Sequence, residues 1–356
     1  MEIKRRKSKE IQVGNVKIGG SAPISVQSMT NTDTRDVEST INQIHLLEDA
    51  GCEIVRVAVI DIEAAKSIEK IKPKINIPII ADIHFNYRIA LEAISMGADG
   101  IRINPGNIGS KSNIKAIILS AKERGIPIRI GVNAGSLEDS LLKKYGYPQK
   151  EALLESALNH IKFFEDTGFF DIKVSIKSSD VITMIDSYRL IAEKVDYPLH
   201  LGITEAGTLI RGSIKSAIGI GILLSEGIGD TIRVSLTDDP IHEVKVGYEI
   251  LRALNIRHMG INIISCPTCG RMEIDLIGII SEVEKRLSHI KEPLNVAILG
   301  CVVNGIGEAK EADIGIAGGR GCGILFKKGK IIRKVKENEL VDTLVLEVER
   351  MVSAIH

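Results

Sequence analysis

The chain has 356 residues, too long for one ordinary core and long enough for a barrel of roughly 200–250 residues followed by a second domain of roughly 100. It is 44% hydrophobic and 26% charged, with no Trp and only 3% aromatic residues, so its cores are built from Ile, Leu, Val and Ala. Lys plus Arg balances Asp plus Glu at 46 each, which excludes a global positive field for nucleic acid or an anionic membrane and leaves recognition to local clusters.

The N-terminus, MEIKRRKSKEIQVG, is charged and has no apolar stretch behind it, so it does not read as a secretory signal. No uncharged apolar run approaches the ~18 residues of a membrane span. A cytoplasmic location is expected. In a reducing compartment the five cysteines read as ligands, nucleophiles or core residues rather than disulfides.

From Ile24 to Thr237 short β-branched runs alternate with longer amphipathic stretches, the pattern of repeated βα units. The expected strands are PISVQSM (23–29), CEIVRVAV (52–59), IPIIADIH (77–84), ADGIRINPGN (98–107), IPIRIGVN (126–133), DIKVSIKSS (171–179), YPLHLGITEAG (197–207) and DTIRVSLTDD (230–239). Each turns polar at its C-terminal end, as buried parallel strands do where they open onto a site. Eight such units favour a closed (β/α)8 TIM barrel. No G-x-G-x-x-G follows the first strand, so an open dinucleotide-binding sheet loses its main support. Asp36 is placed to cap the first helix, and Gly51, Gly97, Gly125 and Gly168 sit where helices should end.

The last barrel helix is expected from Pro240 to about Ile256, with RHMGINIIS as a connection, giving domains 1–258 and 259–356. In the second, Leu276, Ile280, Val283, Leu287 and Ile290 make one apolar helix face. LNVAILG (294–300), ADIGIA (312–317) and IIRKV (331–335) read as strands, with GGRGCG as a loop and a terminal helix, so the domain is small and α+β.

Two constellations carry chemistry. C-P-T-C-G at 266–270 with Cys301 in GCVVNGIGE makes a soft-ligand pocket for zinc or an iron–sulfur cluster. Zinc would want a fourth close ligand, and Cys322 is distant in sequence, so a cuboidal cluster with one iron free for an oxygen ligand is favoured. A redox pair or partial zinc knuckle stays open. Cys52 and Cys322 read as spectators.

The second is a set of cations at strand ends, Arg56, Arg102, Arg129, Lys177 and Arg233, with only Asp82 and Glu205 at equivalent positions to neutralise them. Such a ring demands a multiply charged anion, and a diphosphate fits. The alternative for any one of them is an outward pair with the helix layer or a place in a central ion-pair network. Asn104, Asn133, Thr204 and Ser235 lie at the same level, with His84 and His200 near strand ends. Glu205, in ITEAG, is singled out as a general acid or base if burial raises its pKa.

The runs QSMTNTDT, IVRVAV, ADIHF, IRINPGN, RIGVNAGSL, VSIKSSD, LGITEAG, CPTCGR and GCVVNGIGEAKEADIGIAGG closely resemble the 4-hydroxy-3-methylbut-2-enyl diphosphate synthase family of the non-mevalonate isoprenoid pathway, over nearly the whole chain. The resemblance implies reductive ring opening of 2-C-methyl-D-erythritol 2,4-cyclodiphosphate with loss of water. It also implies a [4Fe-4S] cluster held by Cys266, Cys269, Cys301 and Glu308. By the same resemblance the cations, with Asn104, Asn133 and Ser235, hold the diphosphate, while Asp82, Thr204 and Glu205 stand near the reacting carbons, Glu205 as proton donor. A ferredoxin or flavodoxin as electron donor and a head-to-tail homodimer are further implications. One departure is Ile306, where the family pattern has Pro. Competing readings are an iron–sulfur sensor on a barrel scaffold and a barrel resembling the pterin synthases with structural zinc.

Overall fold

The computed structural model describes residues 3–301 and 309–355. Two compact units, Met1–Arg257 and His258–His356, divide the chain.

The first unit opens with an antiparallel hairpin, β1 (Ile11–Val13) and β2 (Val16–Ile18). The expected strands begin only at Pro23, so this hairpin is new, although V-G-N-V is a two-residue turn signal and Gly14 takes the left-handed conformation (φ +56°) that it needs. Its buried Ile11, Val13 and Ile18 pack on Ile54 and Ile80, at the N-terminal ends of two barrel strands.

Eight parallel strands follow: β3 (Ser25–Met29), β4 (Ile54–Ala58), β5 (Ile79–Ile83), β6 (Gly100–Ile103), β7 (Ile128–Asn133), β8 (Ile172–Lys177), β9 (His200–Leu201) and β10 (Thr231–Ile232). They hydrogen-bond in the order β8-β7-β6-β5-β4-β3-β10-β9, and a parallel bridge between Val174 and Leu199 joins the two ends. This is the (β/α)8 barrel. β9 and β10 are much shorter than the expected runs, because the ladder stops where GITEAG and RVSLTDD turn into loops.

Helices α1 (Val37–Asp49), α2 (Ile62–Ile71), α3 (Tyr87–Ser95), α4 (Lys111–Arg124), α5 (Asp139–Tyr145), α6 (Lys150–Asp166), α7 (Val181–Lys194), α8 (Leu209–Ser225) and α9 (Pro240–Ala253) complete the unit. Asp36 caps α1 by accepting from Ser39 N, and Gly51, Gly97, Gly125 and Gly168 all take positive φ just past helices.

Strand register sorts the side chains into two sets. Outward residues such as Val55, Val57, Ile101, Ile103, Ile130, Val174 and Ile176 are apolar and buried beneath the helices. The inward row is polar instead. Asp82 pairs with Arg102, Arg102 with Arg129, Arg129 with Lys173 and Asn133 with Lys177 across neighbouring strands. A barrel interior is ordinarily filled by bulky branched residues; here apolar filling is left to Ile54, Ile80 and the hairpin at the bottom.

The second unit is a five-stranded sheet in the order β11 (Ile261–Ser265), β12 (Leu294–Leu299), β13 (Ile314–Gly319), β14 (Cys322–Lys327) and β15 (Lys330–Lys336). The first three are parallel and the last two antiparallel. α10 (Leu276–Leu287) and α11 (Leu340–Ser353) supply Val283, Leu287, Leu344 and Val348 to its core. Two expectations are corrected. Residues 261–265 form a half-buried edge strand rather than a connection, and Cys322 starts β14 rather than lying in a glycine loop. α10 ends before Ile290, which is buried nonetheless.

Candidate functional site

The barrel mouth is built around one carboxylate. Asp82, on β5, lies 3.2 Å from Arg56 Nε through Oδ2 and 3.1 Å from Arg102 Nη1 through Oδ1, and all three side chains are buried. Burial works to raise the Asp82 pKa, but the Arg56 and Arg102 guanidinium groups override it and hold the carboxyl well below the usual range. His84 stands at the rim, half exposed, 3.7 Å from Asp82 Oδ1. A side chain at position 131 would not fit, since a Cβ there would meet Arg102 Nε at 2.8 Å.

The other cations share this interior. Lys177 ends β8 and is buried; burial, with Arg56, Arg233, Arg129 and Arg102 nearby, pushes its pKa well down. Arg129 is 1% exposed, and all three of its guanidinium nitrogens lack a hydrogen-bond partner among the described residues. Arg233 differs. Glu243, in the first turn of α9, accepts from its Nε (3.1 Å) and Nη2 (3.0 Å), and also from Ser28 Oγ and Leu236 N. Arg233 thus pairs with a carboxylate of the helix layer while staying close enough to Arg56 and Lys177 to help lower their pKa values, and Glu243 is a buried carboxylate that the strand-end reading passed over.

The polar residues divide. The Asn133 amide is satisfied with its oxygen towards Arg102 Nη2 (3.1 Å) and its nitrogen towards the Val132 carbonyl (3.3 Å). Ser235 Oγ is buried without a partner among the described residues. Asn104 is occupied locally, its Oδ1 accepting from Gly106 N and its Nδ2 donating to Ser136 Oγ. Thr204 is partly buried, its amide 3.4 Å from the Ser178 carbonyl. Glu205 is exposed, so the burial on which its acid–base role was conditional is absent; its backbone sits in the left-handed region (φ 54°), uncommon outside glycine and typical of functional loops.

Two inward residues were missed or undervalued. Lys173 lies two registers below Lys177 and is 1% exposed, while His200, the first residue of β9, is fully buried in the interior. The alternation Lys173, Ser175, Lys177 within DIKVSIK carried the signal for Lys173, since every second residue of a strand shares a face.

In the second unit the thiols gather at one sheet edge. Cys266 follows β11 and Cys301 follows β12 after Gly300, at the C-terminal ends of adjacent parallel strands. Cys266 Sγ accepts from Gly300 N at 3.3 Å, and Gly300 O accepts from Glu273 N at 3.0 Å, which ties the two cysteine loops together. Cys269 is exposed on the first loop. Glu308 and Ile306 lie outside the described residues.

Sequence comparison decides the family. A profile of the GcpE TIM-barrel domain matches residues 8–248, and one of the GcpE protein C-terminal domain matches residues 262–350. The chain belongs to the GcpE family. GcpE relatives include the 4-hydroxy-3-methylbut-2-en-1-yl diphosphate synthase (flavodoxin) of Caldanaerobacter subterraneus subsp. tengcongensis, 63% identical over 98% of this chain and 99% of that protein. The Geobacter sulfurreducens protein of the same name is 58% identical over 99% of this chain and 100% of its own length. Among solved structures, the Yersinia pestis dihydropteroate synthase superposes with a TM-score of 0.50 at 14% identity, covering 69% of this chain and 97% of that one, which speaks to the barrel fold alone. No helix of the described GcpE chain is long and apolar enough to cross a membrane.

Proposed function

We propose that this protein is a 4-hydroxy-3-methylbut-2-enyl diphosphate synthase of isoprenoid biosynthesis, an oxidoreductase that opens 2-C-methyl-D-erythritol 2,4-cyclodiphosphate with two electrons and loss of water. The observation that carries the reading is the charge inside the barrel. Arg56, Arg102, Arg129, Lys173, Lys177 and Arg233 face two committed carboxylates, Asp82 and Glu243. A uniform excess of buried cations is costly without an anionic ligand, and the near-full-length relatives bear the name of a diphosphate-forming enzyme.

Arg56, Arg102, Arg129, Lys177 and Arg233 hold the diphosphate in this reading, with Asn133 and Ser235 adding hydrogen bonds and Asn104 shaping the loop beside them. Asp82 keeps Arg56 and Arg102 aimed at the ligand. Thr204 and Glu205 stand on the loop after β9, and Glu205 gives a proton to the reacting carbon framework or to the departing hydroxyl.

The second unit fits an iron–sulfur cluster on its donor set: three soft thiols on two loops tied by backbone bonds, and an N–H donated to one sulfur. Cys266, Cys269 and Cys301 would hold a [4Fe-4S] cluster, with Glu308 as the oxygen ligand. When bound, such a cluster supplies single electrons and a Lewis-acidic iron. A flavodoxin, named for the relatives, is the proposed donor, and the cytoplasm, with its reduced thiols, the proposed location.

The chain leaves the barrel at the face opposite the mouth. Arg257 is pinned there by Ile24 O (2.7 Å) and Glu53 Oε2 (2.8 Å), just ahead of β3 and β4. A head-to-tail homodimer, in which one copy's cluster domain serves the other's mouth, is the proposed assembly. Iron and acid-labile sulfide in anaerobically prepared protein, with flavodoxin-dependent turnover of the cyclodiphosphate, test the reading; zinc without sulfide contradicts it.

A further inference from the structure

The lower half of the barrel carries polar groups that the carboxylates of the mouth do not bond. Arg129, Lys173 and His200 point inward from β7, β8 and β9; Arg129 and Lys173 are register partners, and Leu199, beside His200, bridges to Val174, beside Lys173. Their exposures are 1%, 1% and 0%. None of the Arg129 guanidinium nitrogens, Lys173 Nζ, the two His200 ring nitrogens or Ser175 Oγ has a hydrogen-bond partner among the described residues. Seven polar atoms on four inward side chains of one unit are thus orphaned together.

Among the described residues no carboxylate is at hand to satisfy them. Asp82 is shared by Arg56 and Arg102, Glu243 is held by Arg233, and Asp230, at the barrel bottom, is taken by Arg5 and Arg6. Buried polar groups in native proteins are almost always partnered, and buried charges are paired or coordinate a ligand. A single phosphoryl group at the mouth leaves the lower cations uncompensated.

We propose that Arg129, Lys173 and His200, with Ser175, form a second anion subsite below the mouth, which takes one phosphoryl group of a diphosphate while Arg56, Arg102, Lys177 and Arg233 take the other. This deepens the diphosphate reading and rests on it. The donor set suits a phosphoryl oxyanion: a planar fork from Arg129, a point charge from Lys173, a hydroxyl from Ser175 and a ring N–H from His200. Burial, reinforced by Arg129, Lys177 and Lys173, pushes the His200 pKa far down, so the ring serves as a neutral donor that adds no further repulsion.

The test is calorimetric titration of anaerobically reconstituted full-length protein with inorganic pyrophosphate and, separately, inorganic phosphate. Lys173→Met should weaken pyrophosphate binding at least about 10-fold, the loss of one charge-assisted contact. Its melting temperature without anion should be unchanged or higher, because an apolar side chain of similar length relieves an unpaired buried charge. His200→Gln, which keeps every charge, is the second variant and should weaken pyrophosphate binding about 3-fold or more, as for a neutral hydrogen bond. Two phosphates per wild-type barrel and one per Lys173→Met barrel identify free phosphate as an occupant as well. One phosphate in both, with weakened pyrophosphate binding, restricts the subsite to a linked diphosphate. Unchanged affinity for both probes in both variants overturns the subsite, and if Arg56→Met still loses pyrophosphate, the diphosphate reading survives it. Wild-type protein that binds no pyrophosphate removes both.

Discussion

Glu243 grips Arg233 with both carboxylate oxygens, at 3.1 and 3.0 Å, in a pair whose side chains are 4% and 14% exposed. The pair ties the start of α9 to the end of β10 and sets the direction of a mouth cation. Removing one partner of a buried pair strands the other charge at a cost of roughly 3 kcal/mol or more. Glu243→Gln should therefore lower the stability of the barrel by about that amount in denaturant titration and raise KM for the cyclodiphosphate. An unchanged midpoint would show that the pair is idle.

Asp82 gives a pH signature. Its folded pKa lies below its ordinary value near 4 because Arg56 and Arg102 override the burial that works to raise it. A depressed carboxyl pKa contributes stability that is fully present above the unfolded value and is lost as pH falls towards the folded one. Asp82→Asn should thus be less stable than wild type by a constant margin from about pH 5 to pH 8, with the margin shrinking below about pH 4. A margin that persists undiminished at pH 3 would contradict the assignment.

Glu205 sits exposed, in a left-handed conformation, on the loop after β9. Glu205→Gln should leave the cluster spectrum and pyrophosphate binding intact and reduce kcat by about 10²-fold or more, the usual loss for a general acid. Unchanged turnover would give the residue another role.

The cysteine loops make separable predictions. Cys301→Ser should prevent assembly of a stable cluster, read as loss of iron and sulfide after reconstitution, whereas Cys322→Ser should load normally. A fully loaded Cys301→Ser protein would contradict the ligand set.

Most of the barrel was legible because its strands are buried on the helix side by Val and Ile and its helices carry ordinary caps; Asp36 and Gly125 announced α1 and the end of α4 from the sequence alone. The cations at strand ends were legible through alternation. Partners that close only in three dimensions were not. Glu243 looks like any acid in a first helical turn, and nothing local tells that it reaches Arg233. Glu205 was placed at the end of a strand, yet β9 stops at Leu201 and leaves it exposed on the loop. Residues 261–265 escaped notice because an edge strand is only half buried and lacks a clean apolar pattern.

The central claim is reductive opening of a cyclic diphosphate at this mouth. Its most direct test is anaerobic incubation of cluster-loaded protein with 2-C-methyl-D-erythritol 2,4-cyclodiphosphate and reduced flavodoxin, followed by phosphorus NMR. The account predicts that the cyclic signals give way to those of a linear diphosphate, only when both cluster and reductant are present. Cyclic signals that persist with a fully loaded cluster and reduced donor would contradict it.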